Sequence, residues 1–151
     1  MIERCTSVAQ AGWLQLRAAL WPHCAEAEHC AEMAQFLAQP ERFVQFVAYA
    51  QLGEPIGLVE ATIRTDYVNG TETSPVAFLE GLYITPTRRR RGIARMLVAA
   101  VIAWVTARGC RELASDVAVG NEVSYEVHRS LGFEETERVV YFRKALTAND
   151  A

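Results

Sequence analysis

The feature that most constrains the fold of this chain is a continuous stretch from Val76 to Val105. Its first part, Val76–Ile84, is almost unbroken apolar sequence, which predicts a strand covered on both faces. Pro86 ends that strand, and from Ile93 onward the apolar residues recur with the spacing of an amphipathic helix. A buried strand that leads through a short turn into a long helix predicts an α/β domain.

Periodicity in the rest of the chain extends this unit to a complete element order. A polar segment with an Asn-Gly pair, residues 65–75, predicts a loop between two strands. The order β-α-α-β-β-β-α-β-α-β predicts an α/β (α+β) fold with a mixed, mostly antiparallel sheet flanked by helices. We expect one domain over residues 1–146 and a short tail over 147–151. The other predicted elements are strands at 2–8, 43–50, 56–64, 112–119 and 135–144 and helices at 11–21, 25–38 and 121–131.

Composition places the chain among ordinary globular proteins. Its 151 residues are 51% apolar and 22% charged, which excludes disordered, collagen-like and coiled-coil proteins. The four cysteines follow no CxxC spacing, so we expect inert thiols in a reducing compartment and no metal site. The first residues lack the apolar core of a signal peptide, and no apolar run reaches the roughly 18–20 residues of a membrane span. We therefore expect a cytoplasmic protein without a membrane partner.

The charge of the chain is concentrated at one place. Residues 88–95, here called the arginine turn, hold five arginines and no acid, whereas the whole chain has a net charge of -3. A nucleic-acid binder spreads its basic charge over a face, so this pattern argues against that class. It favours one anionic ligand bound at one site. The alternatives are a solvated basic turn or a nuclear-type address tag.

The residues around the arginine turn favour a phosphate or pyrophosphate site. A helix that begins near Gly92 presents unpaired N–H groups and the positive end of its dipole. Gly92 and Ala94 are small, so an anion can approach the backbone closely.

Two acidic residues stand where a strand opens or ends. Glu80 and Gly81 interrupt the apolar strand, and a glycine there predicts a bulge with exposed backbone groups. Asp116 ends the next strand, which is the usual place for ligand groups in such sheets. A carboxylate at either position would bind a cationic amine and remove its proton. The structural alternatives are a solvent-facing strand-edge Glu80 and a turn or capping Asp116.

Two motifs resemble the GCN5-related N-acetyltransferases. Arg89–Ala94 fits the Arg/Gln-x-x-Gly-x-Gly/Ala signature of that superfamily and follows a strand, as it should. Asn121-x-x-Ser124, followed by Val127-His128 and Leu131-Gly132-Phe133, fits a second one.

The resemblance implies acetyl-CoA as co-substrate, with its pyrophosphate on the backbone amides of Arg90–Arg95. It also implies that the pantetheine arm pairs with the strand edge Leu82–Ile84 and touches Asn121, for which a simple helix cap is the alternative role. The cofactor-binding residues predicted in this way are Leu82, Tyr83, Ile84, Arg89, Arg90, Arg91, Gly92, Ile93, Ala94, Arg95 and Asn121.

Over nearly its full length the chain resembles a narrower group, the aminoglycoside 6′-N-acetyltransferases. The matching segments include Leu20-Trp21-Pro22, Asp66–Gly70, Phe78–Gly81, Ala114–Asp116 and Gly132–Arg138. The resemblance implies an acceptor site that binds a polycationic sugar through acidic and aromatic side chains. Its predicted residues are Trp21, His23, Tyr67, Glu80, Asp116 and Glu137. For Trp21 alone, a core aromatic at a helix end is the structural alternative.

One position departs from the superfamily pattern. Many members have a tyrosine four residues before the glycine of the Gly-Phe pair, where it protonates the leaving thiolate. This chain has His128 there, which we predict as the catalytic acid, with a satisfied core or surface histidine as the alternative. Tyr125, one turn earlier, or water would be the other proton donors.

The sequence thus predicts N-acetylation of the 6′-amine of aminoglycosides by direct attack on acetyl-CoA in a ternary complex, which confers resistance. Glu80 or Asp116 would act as base, directly or through water, and no cysteine is placed for a covalent acetyl-enzyme. The alternatives are the same fold acting on another amine, such as a polyamine, a small metabolite or a protein, and a non-catalytic acyl-CoA-binding module. Relatives are often dimers, so a homodimer is expected, with residues 139–142 as one candidate for its interface.

Overall fold

The computed structural model describes residues 1–150 and shows a central sheet with helices on both faces. The chain order of the elements agrees with the prediction through the last α-helix, Glu122–Ser130, and only the predicted final strand is absent from the described residues. The strands are β1 (Ile2–Arg4), β2 (Phe43–Tyr49), β3 (Pro55–Arg64), β4 (Val76–Ile84) and β5 (Leu113–Ala114). The α-helices are α1 (Trp13–Leu20), α2 (Glu26–Ala38), α3 (Ile93–Thr106) and α4 (Glu122–Ser130), with short 3₁₀ turns at Pro86–Arg88 and Ala148–Asp150.

The five strands lie in the order in which they occur along the chain. The pairs β1–β2, β2–β3 and β3–β4 are antiparallel, and β4–β5 is parallel. The prediction of a mixed, mostly antiparallel sheet is therefore confirmed. The parallel pair is very short, since only Ala77 and Phe78 of β4 face Leu113 and Ala114.

Each face of the sheet is covered by its own helices, as the apolar strands predict. The fully buried Leu97 and Val101 of α3 pack on one face of the sheet. Trp13 of α1 and Met33 of α2, which are also buried, pack on the opposite face. Burial of such side chains on both faces is the main stabilising contribution to a sandwich of this kind.

A β-bulge interrupts β4 at the predicted place. Glu60 of β3 faces Gly81, and the next residue of β3, Ala61, faces Leu79. Glu80 is therefore the extra residue that has no partner on β3. The bulge turns the following part of β4 and changes which way its side chains face.

The predicted strand at residues 135–144 is wrong for the single chain. In the described structure, residues 134–147, here called the C-terminal segment, form no helix or strand. Alternating apolar sequence reports strand propensity, but a strand also needs an edge to pair with, and no edge within residues 1–150 takes this segment. The strand predicted at 112–119 is likewise reduced to Leu113–Ala114, and the one at 2–8 to Ile2–Arg4.

Two further features follow from the described residues. None of the helices found in residues 1–150 has both the length and the apolar character needed to cross a bilayer. In the same part of the chain, His, Cys, Asp and Glu side chains form no group of three that could hold a metal ion.

Truncation of Leu97 tests the packing of α3 on the sheet. Leu97→Ala leaves a cavity in a fully buried position and should lower the free energy of unfolding by about 2–5 kcal/mol. The neighbouring Met96 is 54% exposed on the same helix, so Met96→Ala should change it by less than about 1 kcal/mol. Urea denaturation of both variants gives the comparison, and equal losses would contradict the described orientation of α3.

Candidate active site

A cleft of about 760 Å³, here called the Trp21 cleft, opens beside the bulge of β4. Its volume is that of a small-molecule site. It lies where α1, α2 and the turn between these two helices meet the central strands. The lining residues are Arg17, Leu20, Trp21, Pro22, His23, Cys24, His29, Glu32, Phe36, Phe43, Glu60, Thr62 and Glu80.

The cleft carries a negative charge. The carboxylates of Glu32, Glu60 and Glu80 line it, against the single guanidinium of Arg17. Charge of one sign in a concave site raises the local concentration of ligands of the opposite sign. The cleft therefore suits a cationic ligand of drug-like size.

Trp21 forms a wall of the cleft and rests directly on the bulge. A Cβ atom added to Gly81 would lie 2.6 Å from Cη2 of Trp21 and 2.8 Å from a methyl carbon of Leu20. No side chain fits between the indole and the strand, so glycine is required by close approach here. The sequence reasoning identified Gly81 as a bulge signal and Trp21 as an acceptor residue, and the structure brings the two into contact.

Glu80 projects from the bulge and forms an ion pair. Its Oε1 accepts a hydrogen bond of 2.8 Å from Arg64 on β3, and the Arg64 guanidinium lies 3.9 Å from the ring centroid of Phe78. Both charged side chains are about one-third exposed. A pair this exposed contributes roughly 0–1 kcal/mol, so a polycationic ligand can displace Arg64 from the carboxylate.

Beyond the bulge, one edge of β4 is open. β5 pairs with β4 only as far as Phe78, so the backbone of residues 79–84 has no neighbouring strand on that edge. At the point of separation, Ser115 Oγ lies 3.4 Å from the Leu79 carbonyl oxygen and 2.7 Å from Nε2 of His128. The other ring nitrogen of His128 lies 2.7 Å from the Ser124 carbonyl oxygen, to which it donates. An extended amide-containing ligand fits this free edge as an added strand.

The backbone of the arginine turn is arranged to hold an anion. Arg90 and Gly92 have positive φ angles of 62° and 80°, and Gly92 is the N-cap of α3. The first N–H group of α3 that bonds back is that of Met96, which donates to the Gly92 carbonyl. In the described structure the N–H groups of residues 90–95 donate to no protein acceptor, and a Cβ on Gly92 would meet nothing within 4 Å. These features fit a pyrophosphate bound by amides and a helix N-terminus.

The five arginine side chains of the turn have different roles. Arg88 pairs with Glu54 at 2.8 Å, Arg89 donates to the Ile84 carbonyl at 2.9 Å, and Arg95 donates to the Ser130 carbonyl at 2.8 Å. Arg90 and Arg91 form no hydrogen bond or ion pair with residues 1–150. Three arginines thus brace the turn, and two remain for a ligand.

Two other predicted cofactor residues also have structural contacts. Ile93 packs against the core next to Gly57, so it offers a bound cofactor its N–H group and not its side chain. Asn121 Oδ1 accepts from Ser124 N at 3.2 Å, which confirms it as the N-cap of α4. Its side-chain amide N–H groups remain available to a ligand.

The structure does not place the whole predicted acceptor set in one cleft. Trp21, His23 and Glu80 line the Trp21 cleft. Tyr67 is 75% exposed and lines a separate pocket of about 330 Å³ in the loop between β3 and β4. Glu137 lies against Gly70 of that same loop, where its Cβ would be 3.8 Å from a Cβ at position 70. Asp116 is exposed directly after Ser115.

Sequence reasoning missed three charged residues of the cleft. Arg17 is 1% exposed and pairs with Glu60, which is 3% exposed, and with the half-exposed Glu32. Trp13 Nε1 also donates to Glu60 at 2.8 Å. Burial raises the pKa of the Glu60 carboxyl, and the Arg17 guanidinium and the Trp13 N–H oppose that shift. The sequence did contain a signal for this pair. Arg17 in α1 and Glu60 in β3 are isolated charges among apolar residues, and a buried charge is costly unless it is paired.

Three of the four thiols are poorly suited to nucleophilic chemistry. Burial raises the pKa of Cys5 and of Cys110. Cys24 lines the cleft, and desolvation together with a hydrogen bond to Glu28 raises its pKa as well. A raised pKa keeps a thiol protonated and unreactive near neutral pH.

Comparison with known proteins agrees with this geometry. Residues 9–133 match the model of the acetyltransferase (GNAT) family. An aminoglycoside N(6′)-acetyltransferase type 1 from Acinetobacter genomosp. 13 is 53% identical over 134 residues, which are 89% of this chain and 90% of that protein.

Two solved structures are similar over almost the whole chain. AAC(6′)-Iy in complex with the bisubstrate analogue CoA-S-monomethyl-acetylneamine has a TM-score of 0.91 at 44% identity and covers 97% of this chain and 98% of its own. Apo AAC(6′)-IG from Acinetobacter haemolyticus has a TM-score of 0.91 at 46% identity, with 97% and 99% covered.

The chain belongs to the acetyltransferase (GNAT) family. The resemblance to aminoglycoside 6′-N-acetyltransferases that the sequence showed is confirmed by its relatives, and with it the expectation of a transferase.

Substitution of Gly92 tests whether the backbone of the arginine turn holds the cofactor. A β-branched residue at φ 80° is strained by about 1–3 kcal/mol, so Gly92→Val should distort the amides and raise the acetyl-CoA KM about tenfold. Arg90→Ala removes an exposed charge and should raise it only about two- to threefold at physiological salt. Steady-state kinetics at saturating acceptor measures both, and a larger effect for Arg90→Ala would contradict the backbone model.

Proposed function

We propose that this chain transfers the acetyl group of acetyl-CoA to the 6′-amino group of aminoglycoside antibiotics and thereby confers resistance. The observation that carries the proposal is the position of an acidic, aromatic-walled cleft beside the bulge of a β-strand whose next residues form an open edge. That edge leads to an anion-binding helix start. The similar proteins named above, one of them bound to a CoA-linked aminoglycoside analogue, support the same pair of substrates.

The cofactor side of the site is formed by backbone groups. Acetyl-CoA supplies an activated acetyl group. The amides of residues 90–95 would hold the pyrophosphate, and the free edge of residues 82–84 would hold the amide-containing arm. Arg90 and Arg91 add charge beside the phosphates.

The acceptor side binds a polycation and deprotonates one amine. An amine must be neutral to attack, so it has to give up a proton in the site. Glu80 is the extra residue of the bulge, and Asp116 follows the end of β5 by two residues, where β5 separates from β4. We assign the base to one of these two carboxylates, acting directly or through water. Trp21 would provide a flat face for the sugar, with His23 beside it in the cleft. We assign Tyr67 and Glu137, which lie in and against the loop between β3 and β4, to contacts with other parts of the acceptor.

His128 is the proton donor we assign to the leaving thiolate. Its Nδ1–H donates to the Ser124 carbonyl, which fixes the ring, and its Nε2 lies 2.7 Å from Ser115 Oγ beside the point where β4 opens. The imidazolium form would give its Nε2 proton to the thiolate, directly or through the Ser115 hydroxyl. Tyr125, the other candidate, donates to Glu135 at 3.0 Å and is thus directed toward the C-terminal segment.

We infer that two copies of the chain associate through the C-terminal segment. Val140, Tyr141, Phe142 and Leu146 are 76%, 80%, 92% and 80% exposed, a concentration of apolar surface that water disfavours. The segment has strand propensity but no strand partner among residues 1–150, and the outer edge of β5 is equally unpaired there. A second copy supplies both missing partners at once.

We further place the protein in the cytoplasm. All four cysteines are free thiols, which is typical of a reducing compartment.

A thiol-release assay with acetyl-CoA tests the function. We expect release with kanamycin and tobramycin at rates at least about a hundredfold above those with spermidine or a lysine peptide, because only a multi-amine sugar matches an acidic cleft with an aromatic wall. No release with any aminoglycoside would refute the proposal. Faster release with spermidine or the peptide would show that another amine is the acceptor.

Neutral replacement of the two acids tests the base. Glu80→Gln or Asp116→Asn should lower kcat by about 10²-fold, within the range of general base catalysis, while the acetyl-CoA KM stays within about twofold. Glu126→Gln, which removes an exposed carboxylate on α4, is the matched control and should be inert. Wild-type turnover in both acid variants would refute the assignment.

A charge in the C-terminal segment tests the association of two chains. Phe142→Asp should convert a species of twice the chain mass into a monomer, as measured by light scattering after size exclusion. Leu52→Asp places the same charge at a fully exposed apolar residue in the β2–β3 turn and should leave the dimer intact. A monomeric wild type, or a dimeric Phe142→Asp, would contradict this interface.

A further inference from the structure

A largely buried charge network borders the Trp21 cleft, and the proposed chemistry assigns no step to it. Its centre is Arg17 on α1, which is 1% exposed. Two ion pairs join Arg17 to Glu60 of β3 and to Glu32 of α2. Nε of Arg17 donates to Nδ1 of His29 at 3.2 Å. Each of the three guanidinium nitrogens therefore donates to one acceptor.

Stability alone does not account for these charges. The desolvation of a buried ion pair offsets most of the attraction between its charges, and apolar side chains of the same size are often as stable or more so. Neither Arg17 nor Glu60 touches solvent to any extent, so the pair does not serve solubility. The contacts of the network indicate what it holds in place.

Two side chains of the network contact Trp21. The guanidinium carbon of Arg17 lies 4.9 Å from the Trp21 ring centroid and 5.3 Å from that of Phe36, so the cation sits between two aromatic walls of the cleft. Nε2 of His29 lies 3.3 Å from the Trp21 carbonyl oxygen. Since Nδ1 of His29 accepts from Arg17, Nε2 carries the proton and donates to that carbonyl. The backbone N–H of Trp21 donates to the Arg17 carbonyl at 2.8 Å, as the C-cap of α1, and this bond keeps the two residues adjacent.

The network also reaches the bulge. Glu60 faces Gly81 across the β3–β4 pair, at the point where the register shifts. Gly81 is the residue on which the Trp21 indole rests. Arg17 thus contacts the indole directly and, through Glu60, the strand position beneath it.

We propose that Arg17 is a positioning residue for the acceptor: fixed by Glu60 and His29, its guanidinium holds the Trp21 ring against the bulge and so sets the affinity for the aminoglycoside. The proposal rests on the acceptor role assigned to Trp21 above. It adds that this role depends on a cation that is itself only 1% exposed. A cation–π contact supplies this function because it fixes the ring face as well as its distance.

The test is the double variant Arg17→Met/Glu60→Gln. Methionine keeps the length of the arginine stem between the two aromatic rings, and glutamine keeps an acceptor for the Trp13 N–H. No buried charge is left unpaired, and the one buried acceptor that loses its donor is Nδ1 of His29, so we expect the variant to fold with a melting temperature a few degrees lower. We expect the aminoglycoside KM to rise about tenfold while the acetyl-CoA KM changes by less than about twofold.

Two further variants separate positioning from general damage. Val101→Ala, in the core on the opposite face of the sheet, should lower the melting temperature without this split between the two KM values. In a Trp21→Ala background the double substitution should raise the aminoglycoside KM by less than about twofold, because the residue it acts through is gone. If the double substitution raised the aminoglycoside KM as much in the Trp21→Ala background as in the wild type, the proposal would be overturned.

His29→Asn provides a second measurement should the double variant fail to fold. Its amide oxygen can still accept from Arg17, but the contact with the Trp21 carbonyl is lost, and we expect a rise of about threefold in the aminoglycoside KM alone. An active wild type with unchanged KM values in the folded variants overturns this inference only. A wild type inactive with every aminoglycoside overturns the proposed function and this inference with it.

Discussion

β4 and β5 pair only through Ala77 and Phe78 on one side and Leu113 and Ala114 on the other, and the site depends on how soon they separate. From Leu79 onward one edge of β4 is free to take an added strand. The arginine turn begins where that strand ends, so the free edge and the helix start form one continuous path for a long anionic cofactor. A longer parallel pair would close the path with backbone hydrogen bonds of the protein's own.

The bulge at Glu80 joins the open edge to the Trp21 cleft. It places a carboxylate where the open edge begins and brings Gly81 against the Trp21 indole. The two ends of the site therefore carry opposite charge. The uneven charge distribution of the sequence, an acidic chain with one cationic turn, corresponds in space to an acidic cleft and a cationic helix start joined by a strand edge, to which we assign the acceptor and the cofactor.

Local signals in the sequence predicted the parts of the site that are built from neighbouring residues. The arginine turn, the bulge beside Gly81 and the cap at Asn121 each depend on a few consecutive residues with special backbone requirements, and the structure has all three. The Arg17–Glu60 pair joins residues 43 positions apart, and no local pattern specifies such a partner. The ion pair of Glu80 with Arg64 was missed for the same reason.

The C-terminal segment shows another limit. Its alternating sequence predicts a strand, and its propensity is real, but pairing requires an edge that no part of residues 1–150 provides. Propensity is a property of a segment, whereas pairing is a property of its surroundings, which include other copies of the chain. Glu137, in the same segment, lies against Gly70 and does not line the Trp21 cleft of the single chain.

The proposed function requires that the acetyl group is transferred to the 6′ nitrogen of the aminoglycoside. The most direct measurement compares two aminoglycosides that differ only in an amine or a hydroxyl at the 6′ position, neomycin and paromomycin, with the products analysed by mass spectrometry and NMR. We expect one acetyl group per molecule of neomycin, on its 6′ nitrogen, and no product from paromomycin. Equal acetylation of both compounds, or an acetyl group on any other nitrogen of neomycin, would contradict it.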